Sequence, residues 1–526
     1  VETLLPLDLP PGVRNSGTLY QSRNRWAKSH LVRWVEGALR PVGGWVQQTD
    51  GNGVPTQTTG KPRGGWSWRK NDASAWLATG TATKLYAFSG SSLALTDITP
   101  AGLTGGNTDG SQSGGGLGYG LGGYGVTPYG GFGASIILDA DTWSLDNFGE
   151  ILLACLTSDG KIYESTPTAQ ATQVTNSPTG CRGVCVSPER FVFALGASSD
   201  PRLVKWSDQG NRTTWTPAAA NQAGSFPLQT TGRLIAGRRT TRETLLWTDT
   251  DLWSATYVGG NLIYRFDQRG EACGLLGPNA FAIAGGAAYW MGRGQFFSYT
   301  GALRPIPSEV SDYVFKDINL TQRAKIATIP IDQFGEVWWF YPSGSQSGLE
   351  NDRYVMLNYR DGYWALGTLG RSAGTGAGAF AQPMLWDSGG YLYAHETGQS
   401  RGGQVAYVES GPLELGDGDQ VVRVQSLIPD EVTSGDVTAQ FFSSYQPEQG
   451  ETASAIYQLT AKTDVRATGR QHRLRLAENN ISTGITADQM IITADQMTWT
   501  ADTGPAGGVD WRVGRFRAGV IPGGKR

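Results

Sequence analysis

The chain has 526 residues, 74 of them glycine, with 17% charged and 10% aromatic residues; disorder, which needs many charges and few aromatics, is excluded. The glycines show no three-residue period, so collagen is excluded as well. Lys plus Arg at 43 and Asp plus Glu at 46 leave a formal charge of −3, which argues against a broad basic face gripping nucleic acid but not against a passage through which DNA slides.

Val1 to Pro6 shows no basic stretch followed by an apolar core, so no signal peptide is read there. No run of eighteen apolar residues exists to span a bilayer as a helix, and a soluble protein made in the cytosol is the expectation. Four cysteines cannot staple a chain of this length. Cys181 and Cys185 are expected to be reduced and buried. The first seventy residues hold Pro6, Pro10, Pro11 and three Trp-centred runs. They read as an arm or strand set, 1–70, that packs against the domains that follow.

From residue 71 onward helical periodicity is absent, and short apolar runs end in Gly, Asn, Asp or Pro. The leading run of each unit lies near 76, 151, 191, 245, 287, 337 and 384, with steps of 75, 40, 54, 42, 50 and 47 residues. Five of the six steps lie in or just beyond the repeat of roughly 40–50 residues found in propeller blades. The long first step contains an insertion over 104–134, whose removal leaves 44 residues. An apolar run, a turn and an aromatic run recur, as in Leu85-Tyr86, Ile162-Tyr163 and Phe296-Phe297. The fold class is therefore all-β, with a β-propeller of six to eight blades over 71–410. Stacked sandwiches with coincidental spacing are the alternative.

The insertion is low-complexity Gly/Tyr sequence around Tyr119, Tyr124, Tyr129 and Phe132. Gly118, Gly120 and Gly123 fit a dinucleotide fingerprint in letters only, because no strand leads in and no helix follows. From 411 the bulky aromatics thin out and alternating runs such as Val421 to Gln425 and Val437 to Phe441 predict a β-sandwich-like domain over 411–526. That region also holds a near-perfect duplication, Ile485 to Met490 and Ile492 to Met497, and a basic cluster that includes Arg512 and Arg515.

The chemistry-bearing residues are sparse. His30, His395 and His472 lie far apart, Cys181 and Cys185 have no second pair, and no phosphate loop or nucleophile elbow occurs. No catalytic residue, metal ligand or cofactor site is expected. Ser207-Asp208-Gln209-Gly210 leading to Trp215 has the form of an Asp-box turn, which marks fold and not catalysis. Glu336 and Glu396 are the least ordinary acids and are read as turn or interface groups, with paired-carboxylate glycoside hydrolysis as their alternative. Trp338-Trp339-Phe340-Tyr341 suits blade packing, or alternatively a sugar platform.

Several stretches in order resemble the propeller-bearing nozzle or tail-tube proteins of short-tailed bacteriophages. They are Leu5 to Val13, Gly17 to Gln21, Arg25-Trp26, Leu31-Val32-Arg33-Trp34, Leu39 to Trp45, Ala78 to Thr81 with Lys84-Leu85-Tyr86, Asp97 to Pro100, Trp143 to Glu150, Trp206-Ser207-Asp208, Trp290-Met291-Gly292, Glu336 to Pro342, Asn351 to Val355, His395 to Gly398 and Asp510-Trp511-Arg512-Val513-Gly514. The resemblance implies a virion structural protein of the tail, made in the host cytoplasm. It implies a self-assembled ring, a hexamer, below the portal-adaptor ring proteins, with tail fibres or spikes as further partners. Viral double-stranded DNA would pass through the lumen without sequence-specific binding, towards the host envelope. On that reading Arg33, Trp34, Trp511, Arg512 and Arg515 are candidate docking residues. Tyr119, Tyr124, Tyr129 and Phe132 are candidates for a gate or fibre contact. The alternatives are a receptor- or glycan-binding tail propeller and a polysaccharide-degrading one.

Overall fold

The computed structural model describes residues 2–113, 136–345, 348–415, 420–446, 450–479, 492–493, 496–497 and 509–523. Seven four-stranded antiparallel sheets form the blades of a β-propeller. Blade 1 runs Gly65–Arg69, Ala75–Gly80, Leu85–Ser89, Thr96–Asp97, and blade 2 runs Trp143–Phe148, Ile151–Leu156, Ile162–Ser165, Thr172–Gln173. Blades 3 to 6 repeat this meander over 183–227, 234–270, 281–306 and 327–368. Blade 7 has only three strands in series, Ala373–Thr375, Met384–Trp386 and Leu392–His395. Its outermost strand, Trp45–Gln47, comes from the N-terminal region and pairs His395 with Trp45. This closure ties the first blade to the last.

The apolar runs that reveal the period are the second strands of the blades, not the first. A second strand has a partner on each edge and a neighbouring blade on each face. Its residues are therefore buried without alternation: Thr244–Thr248 and Glu336–Tyr341 are buried throughout. The innermost strands mix small, charged and apolar residues, as in Leu234–Arg239 and Ala373–Thr375, and carry no such signal. Aromatic rings fill the spaces between blades, with Trp247 stacked on Phe281 and Phe296 against Trp339 and Trp364.

A β-sandwich abuts the propeller. One sheet orders Thr3–Leu7, Phe516–Pro522, Val422–Pro429 and Thr463–Gly469. The other orders Trp26–His30, Tyr407–Ser410, Gln471–Glu478 and Val437–Ser444, with short partners at Thr452–Ala453 and Tyr457–Gln458. Period-two burial is clean here: Gln471–Glu478 alternates half-buried and buried. The domain limits drawn from composition differ from this topology. The sandwich takes two strands from the first thirty residues and one that begins at Tyr407, because strand pairing is non-local and leaves no trace in local composition.

Between its two sandwich strands and the propeller closure, the N-terminal region forms a hairpin, Val32–Val35 with Ala38–Pro41. Glu36 and Gly37, both at positive φ, make its two-residue turn. The chain thus passes from sandwich to hairpin to blade 7 before blade 1 begins. The insertion after blade 1 opens with a stem, Ser111–Ser113 paired with Ile136–Leu138. Tyr119, Tyr124, Tyr129 and Phe132 lie outside the described residues. So does the first copy of the duplication; of the second, Ile492–Thr493 pairs with Gln496–Met497.

Candidate functional site

Two regions concentrate buried charge. The first is the junction between sandwich and propeller. Arg33, on the first strand of the N-terminal hairpin, is inserted between Glu336, the first residue of a blade 6 strand, and Glu396, just past a blade 7 strand. Its Nε lies 2.9 Å from Glu336 Oε1 and its Nη2 donates to Glu336 Oε2 at 3.0 Å. Nη1 and Nη2 donate to the two Glu396 oxygens at 2.8 and 2.7 Å. The three side chains are 3%, 0% and 9% exposed. Trp338 Nε1 donates to Glu336 and the Gly43 amide donates to Glu396. The Phe334 ring covers the guanidinium at 3.8 Å.

Burial disfavours the charge on Arg33, but the Glu336 and Glu396 carboxylates more than offset it and raise its pKa above the ordinary value. Burial likewise pushes Glu336 up, against the pull of Arg33. One guanidinium is shared by two nearly buried carboxylates, so the cluster keeps one negative charge in excess. Chemically the cluster is a clamp. Glu396 sits at positive φ, a conformation that costs an L-residue energy and persists where the surroundings impose it. Gly43 leaves the necessary room, since a Cβ there would lie 2.5 Å from Glu396 Oε2.

More bonds extend the clamp. The Leu31 amide donates to the Tyr354 hydroxyl, and Tyr363 Oη both accepts from the Trp34 amide and donates to its carbonyl. Ser29 Oγ bridges the Leu366 carbonyl and amide. Arg401 donates to the Val42 carbonyl and to both Glu478 oxygens. Of the candidate docking residues, Arg33, Trp34 and Trp511 are thus buried within the chain, and Trp34 and Trp511 share one core cluster. Arg512 is half-buried, 3.7 Å from Glu36, and the Arg515 side chain is 82% exposed.

The second region is one mouth of the propeller. The links into the innermost strands bring Arg63, Arg182, Arg233, Lys325 and Arg371 there, one or two residues ahead of blades 1, 3, 4, 6 and 7. The insertion stem lies across this mouth. Gln322 Oε1 and Nε2 bond the Gly110 amide and carbonyl, Asp109 pairs with Lys325 at 2.5 Å, and Asp139 pairs with Arg233 and Arg323. Glu350 receives Arg63 through two bonds, and Lys61 and Lys325 at 3.0 Å each. Burial would raise the Glu350 carboxyl, but the Arg63 and Lys325 charges hold it down to about 2.

The histidines remain apart. His395 accepts from Arg371 Nε and stacks on Trp45, while His472 bonds Ser443 inside the sandwich. Among the described residues no three His, Cys, Asp or Glu side chains group to hold a metal. Asp208 and Gly210 form a turn with Trp215 buried below, its Nε1 donating to the Arg212 carbonyl. All four cysteines are free and buried.

No family model and no curated protein matches the chain. Among solved structures it is similar to the virginiamycin B lyase of Staphylococcus aureus, at 8% identity over 67% of this chain and 99% of that one, with a TM-score of 0.40. The β-propeller domain of Myceliophteria thermophila Swd1 stands at 8% identity, 68% and 99% coverage and a TM-score of 0.40. A streptogramin B lyase stands at 9%, 67% and 98%, and 0.39.

Proposed function

We propose that the chain is a structural subunit of a short-tailed phage virion, a tail nozzle protein that assembles into a ring below the portal adaptor. One observation supports this reading above others. Several of the segments that carry the sequence resemblance, from Arg33 near one end of the chain to Val513 near the other, meet at the junction. Leu31 to Trp34 supplies Arg33, Glu336 to Pro342 supplies Glu336, His395 to Gly398 supplies Glu396, and Val513 exchanges two backbone bonds with Leu39. The shared residues therefore hold propeller and sandwich in one fixed orientation, as a wall under internal pressure requires.

On this reading DNA passes through the centre of the ring of subunits. The axis of each propeller is barred by the stem at one mouth and narrowed inside by Arg238 over Trp66. On the same reading the insertion, whose stem bonds Gln322, acts as a gate or a fibre contact. The test is electron microscopy of the purified chain mixed with the adaptor ring. A sixfold ring seated on the adaptor is the expected result; a chain that stays monomeric beside intact adaptor overturns the reading.

A further inference from the structure

The strand that closes the propeller is short. Trp45–Gln47 lies along the edge of blade 7 in register with His395, Ala394 and Tyr393, and Val46 on it is 46% exposed. Past it, the Gln48 amide donates to the Leu392 carbonyl at 2.8 Å, and the Leu392 amide donates to the Thr56 carbonyl at 3.1 Å. Behind this edge stands a stack of side chains. Trp45 stacks on the His395 ring at 5.3 Å. The Arg371 guanidinium sits 5.2 Å from the Trp45 ring and 4.7 Å from that of Tyr393. His395 and Arg371 are each 6% exposed.

The bond between these two fixes the state of the imidazole. Arg371 Nε donates to His395 Nε2 at 2.8 Å. A guanidinium keeps its protons and accepts nothing, so Nε2 is the bare nitrogen of a neutral ring. Arg371 Nη1 donates to the Gly370 carbonyl, and Nη2 is buried without a hydrogen-bond partner among the described residues. Arg371, from the link into blade 7, is the charge that faces the ring. Asp387, just past the second strand of the blade, acts on Arg371. Glu396, next in the chain, is bound to Arg33. Tyr393 is kept neutral by burial, and Trp45 brings no charge from the closing strand.

We propose that His395 is an acid latch on the propeller closure: a proton taken from solvent at Nε2 breaks the bond from Arg371 and releases Trp45–Gln47 from blade 7. The protonated ring sets two cations against each other at hydrogen-bond distance, where burial already disfavours the imidazolium. Arg371 and His395 lie on the link and the last strand of one blade in series, whereas Trp45 arrives from the N-terminal region on a strand of three residues. The closing strand is the wall that yields. The closed state binds the proton less readily than the open one. Closure is therefore complete above the ordinary imidazole value of about 6.5 and weakens as pH falls below it, by up to about tenfold in the opening equilibrium per pH unit. The release reaches the clamp, because the Gly43 amide, two residues before Trp45, is bonded to Glu396.

Amide hydrogen exchange on the intact chain, corrected for the intrinsic effect of pH, tests the latch. Between about pH 7 and about pH 5 the protection of the Gln48 amide falls by about tenfold or more. The Thr248 amide, bonded to the Asp251 carbonyl in a blade without a histidine, stays within about twofold. His395→Gln, whose side-chain oxygen accepts from Arg371 but takes no proton, holds the Gln48 amide constant over the interval. Arg371→Gln still donates to the ring without its charge, and the fall at Gln48 shrinks by about threefold or more. A Gln48 amide that ignores pH in the wild type, a fall of equal size at Thr248, a His395→Gln chain that loses protection like the wild type, or an Arg371→Gln chain with the full wild-type fall would each overturn the latch.

Discussion

The two charged regions hold the molecule together in opposite ways. At the junction one cation faces two carboxylates, all nearly sealed from solvent, and the chain itself threads the contact from sandwich to blade 7. At the mouth two buried cations, Arg63 and Lys325, meet acids that still touch solvent: Glu350 is 18% exposed and Asp109 37%. Buried pairs are costly to break, because the abandoned partner keeps its desolvation penalty. Partly exposed pairs are screened and individually weak. The junction is therefore built to stay fixed, and the stem across the mouth is fastened by many bonds that can be loosened one at a time.

Arg33→Met gives the largest expected effect. It leaves Glu336 and Glu396 facing each other without a counterion, at a cost of about 3–5 kcal/mol, read as a drop in the urea midpoint of unfolding. Arg33→Met combined with Glu336→Gln and Glu396→Gln recovers part of that loss. A lone Arg33→Met change below about 1 kcal/mol, the range of an exposed pair, would erase the distinction between the two regions.

Acid separates the regions by pH. Burial lowers His30 to about 4 and holds His395 and His472 below their ordinary value. A group with a depressed folded pKa binds its proton more readily in the unfolded chain, so its contribution is present above the unfolded value and is lost as pH falls. The histidines, on the sandwich and blade 7, thus cost stability as pH drops from about 6.5 towards 4. Glu350 acts lower: its contribution is full above the ordinary 4.5 and is lost as pH falls to about 2, with a ceiling of about 3 kcal/mol. Guanidinium titrations at a series of pH values should show both windows. His30→Asn narrows the upper one and Glu350→Gln removes the lower one.

How much of this was legible in the sequence follows from what each residue's neighbours are. Runs such as Leu245-Leu246-Trp247 exposed the blade period because second strands are apolar on both faces. Ala373–Thr375, three small residues, gave no strand signal of its own, and Trp45–Gln47 as a closure and Thr3–Leu7 beside Phe516–Pro522 were hidden because those pairings cross most of the chain. Arg33 stood out as a docking residue, and Glu336 and Glu396 as unusual acids, yet nothing linked them. One signal was present: Arg33 and Glu336 are each a lone charge set against an apolar run, and a charge buried that way needs an opposite one.

A steric change ranks next. At Gly43→Ala the new Cβ would meet Glu396 Oε2, which Arg33 and the Gly43 amide hold in place. With little freedom to retreat, the carboxylate shifts off its two guanidinium bonds, and the cost is about 1–3 kcal/mol. Thermal unfolding checks this, and a neutral Gly43→Ala would mean that the clamp is more pliable than its burial implies.

The smallest effect is expected at the stem, and salt gives it away. Asp109→Asn and Asp139→Asn together remove the pairs to Lys325, Arg233 and Arg323, but Glu350 stays with Lys325 and Asp249 lies 3.5 Å from Arg233. Each lost pair is worth about 0.2–1 kcal/mol, and the Gln322 bonds to Gly110 are untouched. Global stability therefore changes little. Local opening changes more, because the free energy that holds a surface element down can be far below that of the whole fold. Hydrogen exchange at the Gly110 amide should quicken in the double variant. In the wild type the same amide should exchange faster as salt rises from 0.05 to 0.5 M, roughly a threefold fall in the Debye length. The Leu31 amide at the junction should ignore both changes. Equal salt responses at Gly110 and Leu31 would show that the two regions are fastened alike.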